Sequence, residues 1–244
     1  MRGSPSVLRA ITANPARLFI FVLALLVCLP VHAQQGDIDI NRFTLYTGFD
    51  WMNNPGLNLT QRGFDVDFGV TIRPWLAIGG DFSAAGDSII SGGGTINGAD
   101  TIYAPILIAA EPLGAPPPSS VHVPFKSTSY TFAMGPQFYL RKWSKVTFFA
   151  RPGLGGIHAN ADVSLPPQLG GLLGQLGAPV PSAHQSDTQL FLGAGGGFDI
   201  NISKRVALRF TADWINTHLF SNILTNRQNY VRCTVGPTFR WGRL

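Results

Sequence analysis

The chain has 244 residues, 45 % hydrophobic and only 13 % charged, and is rich in Gly (28) and Phe (17). That length suits one domain of ordinary size. Its formal charge of +5 does not indicate a nucleic-acid partner, because part of the excess lies in a segment that reads as an export signal.

Residues 1–17 carry Arg2, Arg9 and Arg17 and no acid. Leu18 to Leu29 is an unbroken apolar run, followed by Pro30 and then Val31-His32-Ala33. A basic start, a short apolar run and a small residue at the cleavage position describe a secretory signal peptide, with cleavage expected after Ala33. The run is too short for a spanning helix, which needs about 20 residues. A lipoprotein signal at Cys28 is the weaker reading, since Val27 before it is large and β-branched. Domains are therefore expected at 1–33 (signal) and 34–244 (body). Removing the signal leaves fifteen basic against thirteen acidic residues. It also removes Cys28, so Cys233 is alone and no internal disulfide forms.

The body is poor in Met, Lys and Glu and rich in aromatic and β-branched residues, the composition of strands. Eight segments alternate with period two: 43–51, 64–73, 75–83, 129–140, 146–158, 189–202, 206–217 and 230–241. In the last, Val231, Cys233, Val235, Pro237, Phe239 and Trp241 face one way, and Tyr230, Arg232, Thr234, Gly236, Thr238 and Arg240 the other. Segments of about ten residues match a tilted strand crossing a hydrocarbon layer. Within them, apart from Arg73 at the turn end of the second, lie Asp50, Asp65, Asp67, Asp81, Arg151, Asp199, Arg209, Asp213, Arg232 and Arg240. All ten fall on the Gly/Thr-bearing parity of their strands. An exposed midplane Arg costs about 2–4 kcal/mol, so a lipid-facing side is kept free of charge. A soluble sandwich or lipocalin gives the same alternation with the faces exchanged.

The connections separate the two. Arg73-Pro74-Trp75, Arg141 to Lys145 and Ser203-Lys204-Arg205 are tight, whereas 52–62, 84–128, 159–187 and 218–229 are long. Short turns on one side and long loops on the other are the outer-membrane pattern. The fold expected is all-β: an eight-stranded antiparallel up-and-down transmembrane barrel with short periplasmic turns and long outer loops. The loops are Gly/Pro/Ser-rich at Ser91-Gly92-Gly93-Gly94, Ala115 to Ser120 and Leu165-Pro166-Pro167, and are expected to be mobile with little regular structure. Trp75, Trp143 and Trp241 lie by the short turns and Trp51 and Trp214 near the long loops, as two interfacial aromatic belts require.

The final strand resembles the C-terminal signal read by the barrel assembly machinery. Thr234, Gly236, Phe239 and Trp241 fill its polar, glycine, apolar and aromatic places, although the chain continues through Gly242-Arg243-Leu244. The layout of 41–241 is similar to the small barrels of the OmpA and OmpX type. That resemblance implies a bacterial outer-membrane location, with lipid, lipopolysaccharide and the assembly machinery as partners and an extracellular ligand at the loops.

An eight-stranded barrel has an interior just filled by side chains, or room for one small ligand. The expected function is therefore a structural or interaction protein with a plugged, polar lumen of paired charges. The alternative is a narrow pore or carrier for ions or small solutes. A minor alternative is a lipid A-modifying hydrolase. It rests on a resemblance of His184-Gln185-Ser186 to the His-x-Ser motif of such enzymes, with no acid recognised on the same face. His158, His184 and His218 have no metal-ligand spacing, and Gly92-Gly93-Gly94 lacks the Lys of a phosphate loop, so no cofactor or metal is expected. Partition of the expressed mature chain into detergent, with heat-modifiable gel migration, is the expected outcome; a chain that stays in the aqueous phase is the soluble alternative.

Overall fold

The computed structural model describes residues 40–111, 117–164, 171, 174, 184–225 and 228–244. The expected export segment 1–33 and Leu165-Pro166-Pro167 lie outside them. The strands are β1 (Asn41–Asn54), β2 (Leu59–Arg73), β3 (Leu76–Gly86), β4 (Ser91–Asn97), β5 (His122–Leu140), β6 (Val146–Val163), β7 (His184–Asn201), β8 (Val206–Thr217) and β9 (Gln228–Arg243). Every ladder is antiparallel, and β1 pairs with both β2 and β9, which closes the sheet on itself. The result is a closed up-and-down barrel of eight staves. Among the described residues no helix is long and apolar enough to cross a membrane.

The eighth stave count hides a division. β3 leaves the ring at Gly86, whose φ of 137° suits glycine, and Asp87 to Ile90 bulge outward. β4 then enters the same gap, pairing through Arg62↔Ser91 on β2 and Gly93↔Lys126 on β5. The Gly92-Gly93-Gly94 run makes this approach possible. A Cβ on Gly92 would lie 2.3 Å from the Ser127 carbonyl oxygen and 2.6 Å from Gly86 Cα. The stretch expected to be loop is thus strand, because backbone hydrogen bonding to two neighbours outweighs a composition that is poor for strands. α1 (Ala104–Ala110) follows in the same connection.

The strands also run past the predicted ends. β5 begins at His122 rather than 129, β6 continues to Val163 rather than 158, and β7 begins at His184 rather than 189. A 19-residue strand spans roughly 45 Å along the axis at a tilt of about 45°, well beyond an apolar band of about 25 Å. The barrel wall therefore extends past the lipid on the long-loop side. The β7 extension, His184 to Thr188, is polar on both faces and carries no apolar period to read. In the β5 and β6 extensions Val123, Phe125, Ala159 and Ala161 alternate with polar residues but face inward, the reverse of the lipid-spanning part.

One parity points out and carries exposed apolar side chains, among them Phe64, Phe68, Phe82, Phe132, Leu154, Leu192, Phe148 and Phe239. The other parity fills the interior. Bulky interior groups sit over glycines on neighbouring staves. Phe191 occupies the space beside Gly155, where a Cβ would come within 2.5 Å of its ring, and Asp213 does the same at Gly195 at 2.0 Å. Gly155→Val is expected to lower the unfolding free energy by about 1–3 kcal/mol through overpacking. Gly156→Val, whose Cβ would find nothing nearer than 4.0 Å, is expected to be close to neutral. Urea titration followed by heat-modifiable migration checks both.

Candidate functional site

The interior is the candidate site, and it is layered along the barrel axis. Strand parity directs the ten Asp and Arg residues singled out from the sequence inward, where each is at most 9 % exposed. In the layer nearest the short turns, Arg209 Nε donates to Asp199 Oδ1 at 2.7 Å and Nη2 to Oδ2 at 3.1 Å. Arg240 reaches the same carboxylate from β9 and also donates to Asn201 Oδ1 at 2.8 Å. The Arg209 guanidinium lies 4.5 Å from the centre of the Phe149 ring. A relay of neutral groups then runs inward: Tyr139 Oη donates to Gln137 Oε1 at 2.6 Å, and Gln137 Nε2 to Asp67 Oδ2 at 2.7 Å.

The middle layer is built on Arg151 and Arg232. Arg151 forks onto Asp213, with Nε 2.9 Å from Oδ1, while its Nη1 reaches Asp67 Oδ2 at 2.9 Å and Asp81 Oδ2 at 3.2 Å. Arg232 holds Asp213 Oδ2 at 3.0 Å and Asp81 Oδ1 at 2.8 Å, and donates to Thr131 Oγ1 at 3.2 Å. Asp67 and Asp81 stand directly opposite each other across β2 and β3. Like charges there repel, and the shared Arg151 offsets this.

Four arginines thus serve four acids, Asp67, Asp81, Asp199 and Asp213. Asp50 and Asp65 remain. Both are fully buried, and none of their carboxylate oxygens has a hydrogen-bond partner among the described residues. They occupy diagonal positions on β1 and β2, opposite Gly63 and Gly48 respectively. A cavity of about 40 Å³ lies beside this network, lined by Asp67, Asp81, Arg151, Gln137 and Arg232. That is room for a few water molecules.

The outer part of the lumen differs from the polar interior expected throughout. Above Asp213 and Arg232 apolar side chains enter the lumen: Met52, Leu59, Ile157, Phe191, Ile215 and Tyr230 form one buried cluster, with Asn54, Gln61, Ser127, Ser129, Thr217 and Gln228 buried beside it. Leu219 and Leu224, from the connection between β8 and β9, complete it. This connection is pinned to the one between β4 and β5. Thr101 bridges to Leu224, Ile102 N donates to Ile223 O at 2.9 Å, and Thr225 N to Asp100 O at 3.1 Å. Among the described residues two paired connections that carry their own hydrogen bonds lie over this cluster. The signal for Ile157, Phe191 and Ile215 was their place on the otherwise polar parity, which marks them as interior despite their apolar character.

Other sequence candidates lie on the outer face. His184 Nδ1 is 2.8 Å from Asp162 Oδ1, and the two are register partners across β6 and β7. The acid not recognised in the sequence is thus supplied by the preceding strand; it lay beyond the predicted end of that strand. Ser186 follows two residues on, on the same parity. Asp162 and His184 are both more than 60 % exposed, so water screens the pair and it does not hold the ring as a buried acid would. His158 Nδ1 contacts Thr188 Oγ1 at 2.8 Å. Among the described residues no group of three metal-ligating side chains converges. Of the tryptophans, Trp75 stacks on Phe138, Trp241 on Phe43, and Trp143 meets Phe148 edge-on, all at the short-turn end. Trp51 and Trp214 face outward on the other half of β1 and β8, opposite Arg62 and Val231. Thr234 lies inside, accepting from Tyr46 Oη at 2.7 Å, while Phe239 is outside.

A family model described as outer membrane protein beta-barrel domain matches residues 19–236. No curated protein matches the chain. Among solved structures, Neisserial surface protein A is similar in fold, with a TM-score of 0.51 at 10 % identity, covering 82 % of this chain and 98 % of that one. Weaker likenesses, on which nothing rests, are OprG from Pseudomonas aeruginosa and Ail of Yersinia pestis. OprG has a TM-score of 0.46 at 10 % identity, covering 84 % and 97 %. Ail has a TM-score of 0.40 at 12 % identity, covering 81 % and 96 %.

The network predicts unequal costs for its acids. Asp213→Ala strips a partner from two buried arginines and is expected to destabilise the barrel by about 3–5 kcal/mol. Asp50→Asn and Asp65→Asn remove charges that form no arginine salt bridge among the described residues, and are expected to cost less than Asp213→Ala. Equilibrium unfolding of the three variants in detergent ranks them.

Proposed function

The chain belongs to the outer membrane protein β-barrel domain family, and we propose that it acts as a sealed structural and interaction barrel that presents its long loops outside the cell. Members of this family are bacterial outer-membrane proteins. The observation that carries the reading is the double closure of the lumen: a buried apolar cluster of Met52, Leu59, Ile157, Phe191, Ile215 and Leu219 stacked on the Arg–Asp layers. An ion entering from the long-loop side meets this apolar cluster and side-chain amides already bonded to one another, where desolvation opposes it. Below, it meets guanidinium–carboxylate pairs that already satisfy one another. A pore needs a continuous hydrated path, and the cavity of about 40 Å³ beside Arg151 holds only a few water molecules.

In this reading the chain is exported by cleavage after Ala33. It is inserted by the assembly machinery through Thr234, Gly236, Phe239 and Trp241, and is seated by the aromatic belts of Trp51, Trp75, Trp143, Trp214 and Trp241. The long-loop end then supplies the interaction surface, with the connections paired through Thr101, Ile102, Ile223 and Leu224 as its ordered part. We assign no catalytic role. The exposed Asp162–His184 pair fits a surface hydrogen bond between two extended strands.

Reconstitution of the refolded mature chain in planar bilayers is expected to give no conductance steps above the bare membrane. Reproducible unitary steps from folded, heat-modifiable protein would replace this reading with the pore.

A further inference from the structure

The two ends of the barrel differ in charge. At the short-turn end, the paired terminal strands contribute Arg42 and Arg243, and the β2–β3 turn Arg73. The β5–β6 turn adds Arg141, Lys142 and Lys145, and the β7–β8 turn Lys204 and Arg205. All but Arg141 are exposed. Among the described residues the only acid near this end is Asp199, which is inside the lumen and bound by Arg209 and Arg240. Asp37 and Asp39 precede β1 outside the described residues; counted in full against the eight cations, they leave a large positive excess. The long-loop end has the opposite sign, with Asp87, Asp100, Glu111, Asp162 and Asp187 against Arg62 and Lys126, and Arg227 outside the described residues still leaves it acidic.

We propose that the short-turn end is a binding collar for the anionic headgroups of phospholipids in the leaflet it faces. This rests on the transmembrane reading above. Two observations select lipid over a protein or polymer partner. First, every short turn and the paired strand ends contribute, so the cations surround the barrel; a macromolecular partner docking from one side needs only one face. Secondly, they stand just beyond the aromatic belt, at headgroup depth. Lys142 Nζ is 5.7 Å from the Trp143 ring centre, and the Arg42 guanidinium 5.9 Å from that of Phe43. The aliphatic stems lie along apolar surface and the charged ends extend to the phosphate plane. Eight clustered cations repel one another unless an anionic layer meets them, and juxtamembrane basic clusters bind acidic lipids through this attraction.

The test is the electron-spin-resonance selectivity of spin-labelled phosphatidylglycerol over spin-labelled phosphatidylcholine for the barrel refolded in phosphatidylcholine vesicles. The wild type is expected to prefer the anionic label by at least about threefold in low salt, falling in 0.5 M NaCl. A variant carrying Lys142→Gln, Lys145→Gln, Lys204→Gln and Arg205→Gln is expected to lose most of the preference. Arg62→Gln with Lys126→Gln at the other end is expected to keep it. Equal association of the two labels with the wild type, or a preference that survives the fourfold substitution, overturns the collar. So does retention on purified peptidoglycan that the fourfold variant loses, if lipid selectivity is absent. A chain that immobilises neither label has not inserted, and this overturns the transmembrane reading itself.

Discussion

Everything in this molecule depends on the satisfaction of the backbone in a medium without water. Lipid supplies no hydrogen bonds, so a strand can cross only if both its edges are paired. The β1–β9 ladder, from Asn41↔Arg243 to Asn53↔Val231, meets this requirement by leaving the ring without an edge. Closure then has a second consequence. A ring of eight staves has two faces of equal length, and the inner one cannot reach bulk solvent. The charges that lipid excludes must be matched against each other in a narrow space. Arg151 serving Asp67, Asp81 and Asp213 at once is the product of that confinement.

The lumen solves the filling problem in two different ways. Towards the short turns, arginines reach across the barrel, and glycines on neighbouring staves leave room for their partners, Gly195 for Asp213 and Gly79 for Gln137. Towards the long loops, where the wall rises beyond the lipid, branched and aromatic side chains form a small core like that of a soluble protein. The loops above extend this core with Leu219 and Leu224 and are fixed by a mutual backbone bridge. An apolar core is the less costly plug there because it needs no partner of matching charge. It also makes the mouth an ordered surface, which favours recognition by the loops over passage through the barrel.

The barrel is also electrically polar from end to end, basic at the turns and acidic at the loops. Fold class imposes no such asymmetry, since turns of three to five residues accept many polar sequences. The aromatic rings beside these cations place them at a defined depth, and the collar therefore belongs to the same physics as the aromatic belt: side chains with an apolar body and a polar end settle where the medium changes.

Much of this was written in the period of the chain. Alternation by two, ten charges on one parity and short turns alternating with long connections determine a closed membrane barrel and the side of each strand that is ionic. These are local properties that any reader of the chain can count, because lipid allows few exceptions to them. Partner choice was not local. That Arg232 bonds Asp81 and Asp213, that Asp50 and Asp65 are left over, and that Asp162 meets His184 depend on register between strands up to 151 residues apart in sequence. The continuation of β3 as β4 was hidden by glycines whose role is to let strands approach. The apolar cluster was hidden because Ile157, Phe191 and Ile215 occur singly on the inward parity of their strands, and only closure of the ring brings them together.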